Sequence, residues 1–123
     1  MKIYTGYYGN IDKYIQEGLV LISISRTIPF NIKLKGIEVK KMAEFAPSAG
    51  LLIEWKKNYD IKRYYDRFYF ENLNNLNKKY VLNKIKELAN NKDCVLLCYE
   101  KSSFCHRHLV ADWMKGVVEI KEF

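Results

Sequence analysis

The segment Cys98-Tyr99-Glu100-Lys101-Ser102-Ser103-Phe104-Cys105-His106-Arg107-His108 gathers more reactive side chains than any other part of the chain. Its position suggests a buried strand running into a helix, and a helix N-terminus offers unpaired N–H groups and the positive end of its dipole to an anion. Arg107, joined by Arg26 from an earlier strand end, can add bidentate donors to a phosphate or carboxylate. The same surroundings favour a thiolate at Cys98 or Cys105, and a lowered pKa is what makes cysteine nucleophilic near neutrality. Glu100 could serve as a base or bind a ligand hydroxyl, and His106 could move a proton. The candidate roles are therefore Cys98, Glu100 and His106 for chemistry, and Arg26, Cys105 and Arg107 for holding a ligand.

Each residue also has a plain structural reading. Cys98 at the end of a buried strand fits a small hydrophobe. Glu100 could form a salt bridge to Arg107 or Arg26. His106 could be a helix-start side chain bonded to a carbonyl, and His108 is expected in solvent. The spacing of Cys98, Cys105 and His106 matches no common zinc pattern, so neither a metal nor a cofactor is expected. Sulfur or phosphoryl transfer through Cys98 is a competing reading, but the interval to Arg107 is not the compact Cys-x5-Arg loop of thiol-dependent phosphatases.

The elements that must position these residues follow from apolar spacing. Met1 to Tyr8 reads as a strand, and Asn10 as the N-cap of a helix that Gly18 ends. Leu19 to Ser25 reads as a strand buried on both faces, carrying Arg26 at its tail. Pro29 turns the chain into a stretch expected to be irregular from Phe30 to Pro47. Ser48 is placed to cap a helix bearing Leu51, Leu52 and Trp55; Ile61, Tyr64, Tyr65 and Phe68 mark the next, and Asn77 caps a third whose stripe is Val81, Leu82, Ile85, Leu88 and Ala89. Asn90-Asn91 stops it before the buried strand Cys94 to Cys98. His106 to Lys115 then reads as a helix capped by Gly116, and Val117 to Phe123 as a last strand.

Strands separated by helices require crossovers, which predicts a single α/β domain over residues 1–123: a mostly parallel sheet flanked by helices, Rossmann-like and doubly wound. Ligands in such sheets sit outside the carboxyl ends of the strands, the edge that carries Arg26 and Cys98.

With 123 residues, 49% hydrophobic and 15% aromatic, the chain has the material for one core and is not a disordered composition. No apolar run approaches the ~20 residues of a membrane span, and the first residues lack the apolar core of a signal peptide. A cytoplasmic location without membrane association is expected, with Cys94, Cys98 and Cys105 reduced. The net charge of +7 would attract phosphates or nucleic acid, with Lys33, Lys35, Lys40 and Lys41 the densest basic stretch. However, 17 of the 21 basic residues are lysine in a chain also rich in Asn, Ile and Tyr, so compositional bias accounts for the charge as readily.

Leu96-Leu97-Cys98-Tyr99-Glu100-Lys101 with Phe104-Cys105-His106-Arg107-His108-Leu109 resembles the C-terminal signature of the family of domain of unknown function 488, which has bacterial and phage members. Ser23-Ile24-Ser25-Arg26 and Ala46-Pro47-Ser48-x-x-Leu51-Leu52 resemble two further motifs in the same order, and Gly6-Tyr7 with Asn10 resembles the family's opening. Many members carry Asp-x-Arg where this chain has Ile24-Ser25-Arg26, so a carboxylate is missing here. The resemblance implies an α/β fold and a pocket shared by Arg26, Cys98, Glu100, Cys105, His106 and Arg107. It implies no activity.

The function expected from these residues is binding of an anionic or nucleotide-like small molecule at the strand ends, with an enzymatic step on it by Glu100 or a thiol. The alternatives are a nucleic-acid-binding module using the Lys33 to Lys41 stretch and exposed tyrosines, and a thiol-dependent transferase using Cys98.

Overall fold

The most apolar segment of the chain, Cys94–Cys98, lies at the centre of the sheet in a computed structural model that describes residues 1–99 and 105–123. Among these residues the strands are β1 (Ile3–Tyr7), β2 (Val20–Ser23), β3 (Lys40–Lys41), β4 (Cys94–Cys98) and β5 (Ile120–Glu122), in the order β3-β2-β4-β1-β5. Every pairing is parallel, with Thr5 and Ile22 both opposite Leu96. The fold is α/β, as the alternation of strand and helix patterns predicts.

The helices are α1 (Ile11–Gln16), α2 (Phe30–Leu34), α3 (Ala49–Asn58), α4 (Ile61–Phe68), α5 (Lys78–Leu88) and α6 (His106–Trp113). Side chains alternate across a strand, and β4 shows why both of its faces had to be apolar. Val95 and Leu97 pack with Ile11 and Tyr14 of α1 and Ile32 of α2. Cys94, Leu96 and Cys98 pack with Leu51, Phe68, Ile85 and Val110 from the helices on the other face. Fully burying one such aliphatic side chain is worth about 1.5–3 kcal/mol, so the central strand anchors the sheet between two helical layers.

Local signals set most of the boundaries. Ser48 Oγ accepts from Leu51 N–H at 3.1 Å and Asn77 Oδ1 from Tyr80 N–H at 3.0 Å, each supplying the partner that a first-turn donor lacks. Asp60 caps α4 in the same way, accepting from Arg63 N–H at 3.1 Å. Gly18 follows α1 with φ of 73°, and Asn90 and Asn91 follow α5 with φ of 53° and 60°, left-handed conformations that glycine and asparagine tolerate best.

Several expectations need correction. Asn10 makes no side-chain cap bond, because the chain enters α1 through a 3₁₀ turn, Tyr8–Asn10. The stretch from Phe30 to Pro47 is not wholly irregular: it holds α2, β3 and a 3₁₀ turn at Ala43–Phe45. Helix α2 contributes only one buried residue, Ile32, and β3 is a two-residue edge strand of lysines, so neither leaves a hydrophobic period to read. Helix α6 stops at Trp113 with Met114 at its cap, Gly116 is not left-handed, and the last strand is narrower than Val117 to Phe123.

Parallel pairing puts Ser23 and Cys98 at one edge. From there the chain leaves β2 towards β3 at one side of the sheet, whereas it leaves β4 towards β5 at the other. Adjacent strands whose connections diverge leave a crevice between them, the usual ligand position in open α/β sheets.

Candidate functional site

The crevice between the β2 and β4 ends is a cleft of about 470 Å³. One side is Ser25, Arg26 and Thr27, following β2; the floor is Cys98, Tyr99, Cys105 and His106, from the end of β4 and the start of α6. The opposite wall is mostly apolar, with Leu52 and Trp55 of α3 and Tyr64 of α4, and Lys56 adds a cation. Arg26 and Lys56 are both exposed. Arg26 lines the cleft and makes no ion pair among the described residues.

Ser25 and Thr27 belong to a string of hydroxyls behind this rim. Tyr8 Oη donates to Ser23 Oγ at 2.6 Å, Ser23 and Ser25 are joined at 3.0 Å, Ser25 Oγ donates to the Thr27 carbonyl at 2.6 Å, and Thr27 Oγ1 meets Tyr99 Oη at 3.0 Å. Burial raises the Tyr8 phenol above its ordinary value, against the lowering effect of its two serine partners, so it stays protonated and donates. The chain links the tails of β2 and β4 across the crevice and holds the spacing of its two banks.

The sulfurs of Cys98 and Cys105 are bonded to each other, and Cys94 alone is a free thiol. This corrects the expectation of three reduced cysteines. Cys105 stands immediately before α6, whose first residues pack back over the end of β4, so the seven-residue interval brings the two sulfurs to one point.

His106 is buried, and its Nε2 lies 2.6 Å from the Ile24 carbonyl. A carbonyl can only accept, so Nε2 carries the proton and the neutral ring leaves Nδ1 as an acceptor, 3.6 Å from Cys105 Sγ. Burial pushes this imidazole down to about 4; the Ile24 carbonyl opposes the shift and the Arg107 charge adds to it. At neutral pH His106 is therefore an uncharged strut between β2 and α6, with weak basicity.

Arg107, the second residue of α6, is 1% exposed and is not among the residues that line the cleft. Its Nε lies 3.1 Å from both Glu122 carboxylate oxygens and its Nη2 2.8 Å from Oε2, a bidentate clamp onto β5, while Nη1 donates to Cys98 Sγ at 2.9 Å. Glu122 also accepts from Thr5 Oγ1 at 2.5 Å. Burial alone would raise the Glu122 carboxyl, but the bonds from Arg107 and Thr5 and the guanidinium charge hold it below the usual carboxylate range.

Of the candidate residues, the structure brings Arg26, Cys98, Cys105 and His106 around one cleft and sets Arg107 behind the sulfur pair; Glu100 lies outside the described residues. Sequence reasoning missed Glu122. Its signal was an acidic residue within the alternating final strand, placed by register beside Thr5, but only the sheet order shows that this position faces Arg107. His108, expected in solvent, is half-buried. Among the described residues there is no group of three or more metal-ligating side chains, and no helix long and apolar enough to cross a membrane.

A family model described as the "Active DUF488-N3 subclade" matches residues 3–117. The chain belongs to the DUF488 family. The match runs from the first residue of β1 past α6 and so includes every strand end that borders the cleft. No curated protein and no solved structure matches the chain.

Proposed function

We propose that this DUF488 protein binds a small molecule with an anionic group and a flat, nucleotide-like ring in the cleft at the β2–β4 crevice, and that it acts on that molecule there. The observation that carries this reading is the pairing, in one cleft, of exposed Arg26 and Lys56 with the aromatic rings of Trp55, Tyr64 and Tyr99. The two cations suit a phosphate or carboxylate, and the rings suit a planar base. The subclade's description as active accords with an enzymatic role.

Arg107 does not serve as the anion clamp in this reading, because Glu122 occupies its fork. Its contribution is to fix the floor beneath the ligand.

Calorimetric titration with nucleosides, nucleoside 5′-phosphates and inorganic phosphate tests the proposal. Nucleoside phosphates should bind more tightly than either part alone, and Arg26→Ala should weaken them about tenfold or more, the worth of a charge-assisted hydrogen bond. No binding across the series, or equal binding by Arg26→Ala, would overturn it. A nucleic-acid module would instead bind oligonucleotides with an affinity that falls steeply with salt and survives Arg26→Ala.

A further inference from the structure

The contacts of Arg107 are divided. Among its contacts with the described residues, one edge of its guanidinium holds the Glu122 carboxylate and Nη1 donates to Cys98 Sγ. In a disulfide that sulfur is a weak, neutral acceptor. As a thiolate it would be a full anion 2.9 Å from a buried guanidinium nitrogen, and a charge-assisted bond there is about twice as strong as a neutral one. The cation is thus better matched to the reduced form of Cys98 than to the oxidised form. Among the described residues Cys105 has no such cation beside its sulfur: it faces the neutral Nδ1 of His106, which can accept a proton-bearing S–H but offers no positive charge.

We infer that Cys98 and Cys105 form a reversible dithiol–disulfide couple on the cleft floor, with Cys98 the attacking sulfur, Cys105 the resolving one and Arg107 the residue that positions and stabilises the Cys98 thiolate.

The co-reactant is a low-molecular-weight disulfide. The Cys98 thiolate attacks one of its sulfurs, forming a mixed disulfide and displacing the other half as a thiolate. That thiolate takes the proton of Cys105, whose sulfur then attacks Cys98 Sγ, closes the Cys98–Cys105 bond and expels the second half, which is protonated from solvent. Two electrons pass from the cysteine pair to the small disulfide, which leaves as two thiols; excess dithiol runs the sequence backwards. The activity is independent of which molecule fills the rest of the cleft.

Residue-resolved alkylation of the reduced protein with iodoacetamide, followed across pH by mass spectrometry, reads the assignment directly. Cys98 should alkylate first, with a midpoint below the ~8.5 of a free thiol, Cys105 later, and Cys94 not at all. Arg107→Gln should slow Cys98 alkylation at neutral pH about tenfold and Arg107→Lys should largely restore it, a pattern that a packing role would not produce. If Arg107→Gln does not fold, Glu122→Gln takes its place and should move the Cys98 midpoint down. In glutathione buffers the wild type should close an internal disulfide, whereas Cys105→Ser should trap glutathione on Cys98. Faster alkylation of Cys105, a Cys98 midpoint at or above that of a free thiol, or no internal disulfide at any glutathione ratio would overturn the inference.

Discussion

Cys94 opens β4 and Cys98 closes it, on the same face of the sheet and each shielded almost wholly from water. At the first end the thiol is set among apolar neighbours, and burial, helped by the Asp93 charge, pushes it up to about 12. At the other end the sulfur borders a cleft, carries a guanidinium at 2.9 Å and is joined to a second cysteine. Residue type, strand and burial are the same at both ends. What differs is the direction in which the chain leaves the strand: the carboxyl edge receives the β2 tail, the start of α6 and, through β5, a carboxylate to balance the arginine. Function in this fold is a property of the edge more than of the residue.

The largest way to break that contrast is to remove the charge at the Cys98 end. Arg107→Ala leaves Glu122 without its clamp and opens a void beside the sulfur pair, at a cost of about 3 kcal/mol, the low end for a broken buried pair because Glu122 is itself partly exposed. Urea unfolding should show it; a loss within experimental error would mean that the pair does not hold α6 to β5.

Acid should attack the same end. The folded-state pKa of His106 lies below its unfolded value, so the unfolded chain binds the proton more readily, and stability present above about 6.5 is lost as pH falls towards about 4. The loss from this residue is on the order of 3 kcal/mol, and it should flatten in a His106→Gln background. Further loss at lower pH belongs to Glu122, whose lowered carboxyl acts in the same direction. A stability curve flat from neutrality to pH ~4 would contradict the buried neutral imidazole.

Cys94→Ser sharpens the contrast from the other side. A hydroxyl placed in that apolar pocket should cost about 1–3 kcal/mol while leaving the alkylation profile of Cys98 unchanged. The smallest effect is expected from Arg26→Ala, within about 0.5 kcal/mol by thermal unfolding, since Arg26 is exposed and makes no ion pair among the described residues. A substantially destabilised Arg26→Ala protein would make that arginine a structural part of the edge.

Much of this edge was legible before the fold was seen, because local rules apply there. The unbroken apolar runs gave the two central strands, Ser48 and Asn77 gave two helix starts, and the convergence of parallel strand ends placed Arg26 and Cys98 together. What could not be read depended on partners distant in sequence. Nothing local to Arg107 tells that its carboxylate partner is Glu122, fifteen positions after it. The Cys98–Cys105 bond likewise depends on how α6 folds back over β4. Helix α2 and strand β3 escaped for a different reason: each buries too little apolar surface to print a period.

Whether the β2–β4 crevice is where this protein meets its ligand can be read from the backbone amide resonances of isotope-labelled protein during titration with a nucleoside 5′-monophosphate. Saturable shifts are expected at Ser25, Arg26 and Thr27 and at Cys98, Tyr99, Cys105 and His106, with Asp93 and Cys94 at the opposite end of β4 unmoved. Shifts confined to Lys33, Lys35, Lys40 and Lys41, with the crevice residues silent, would contradict it.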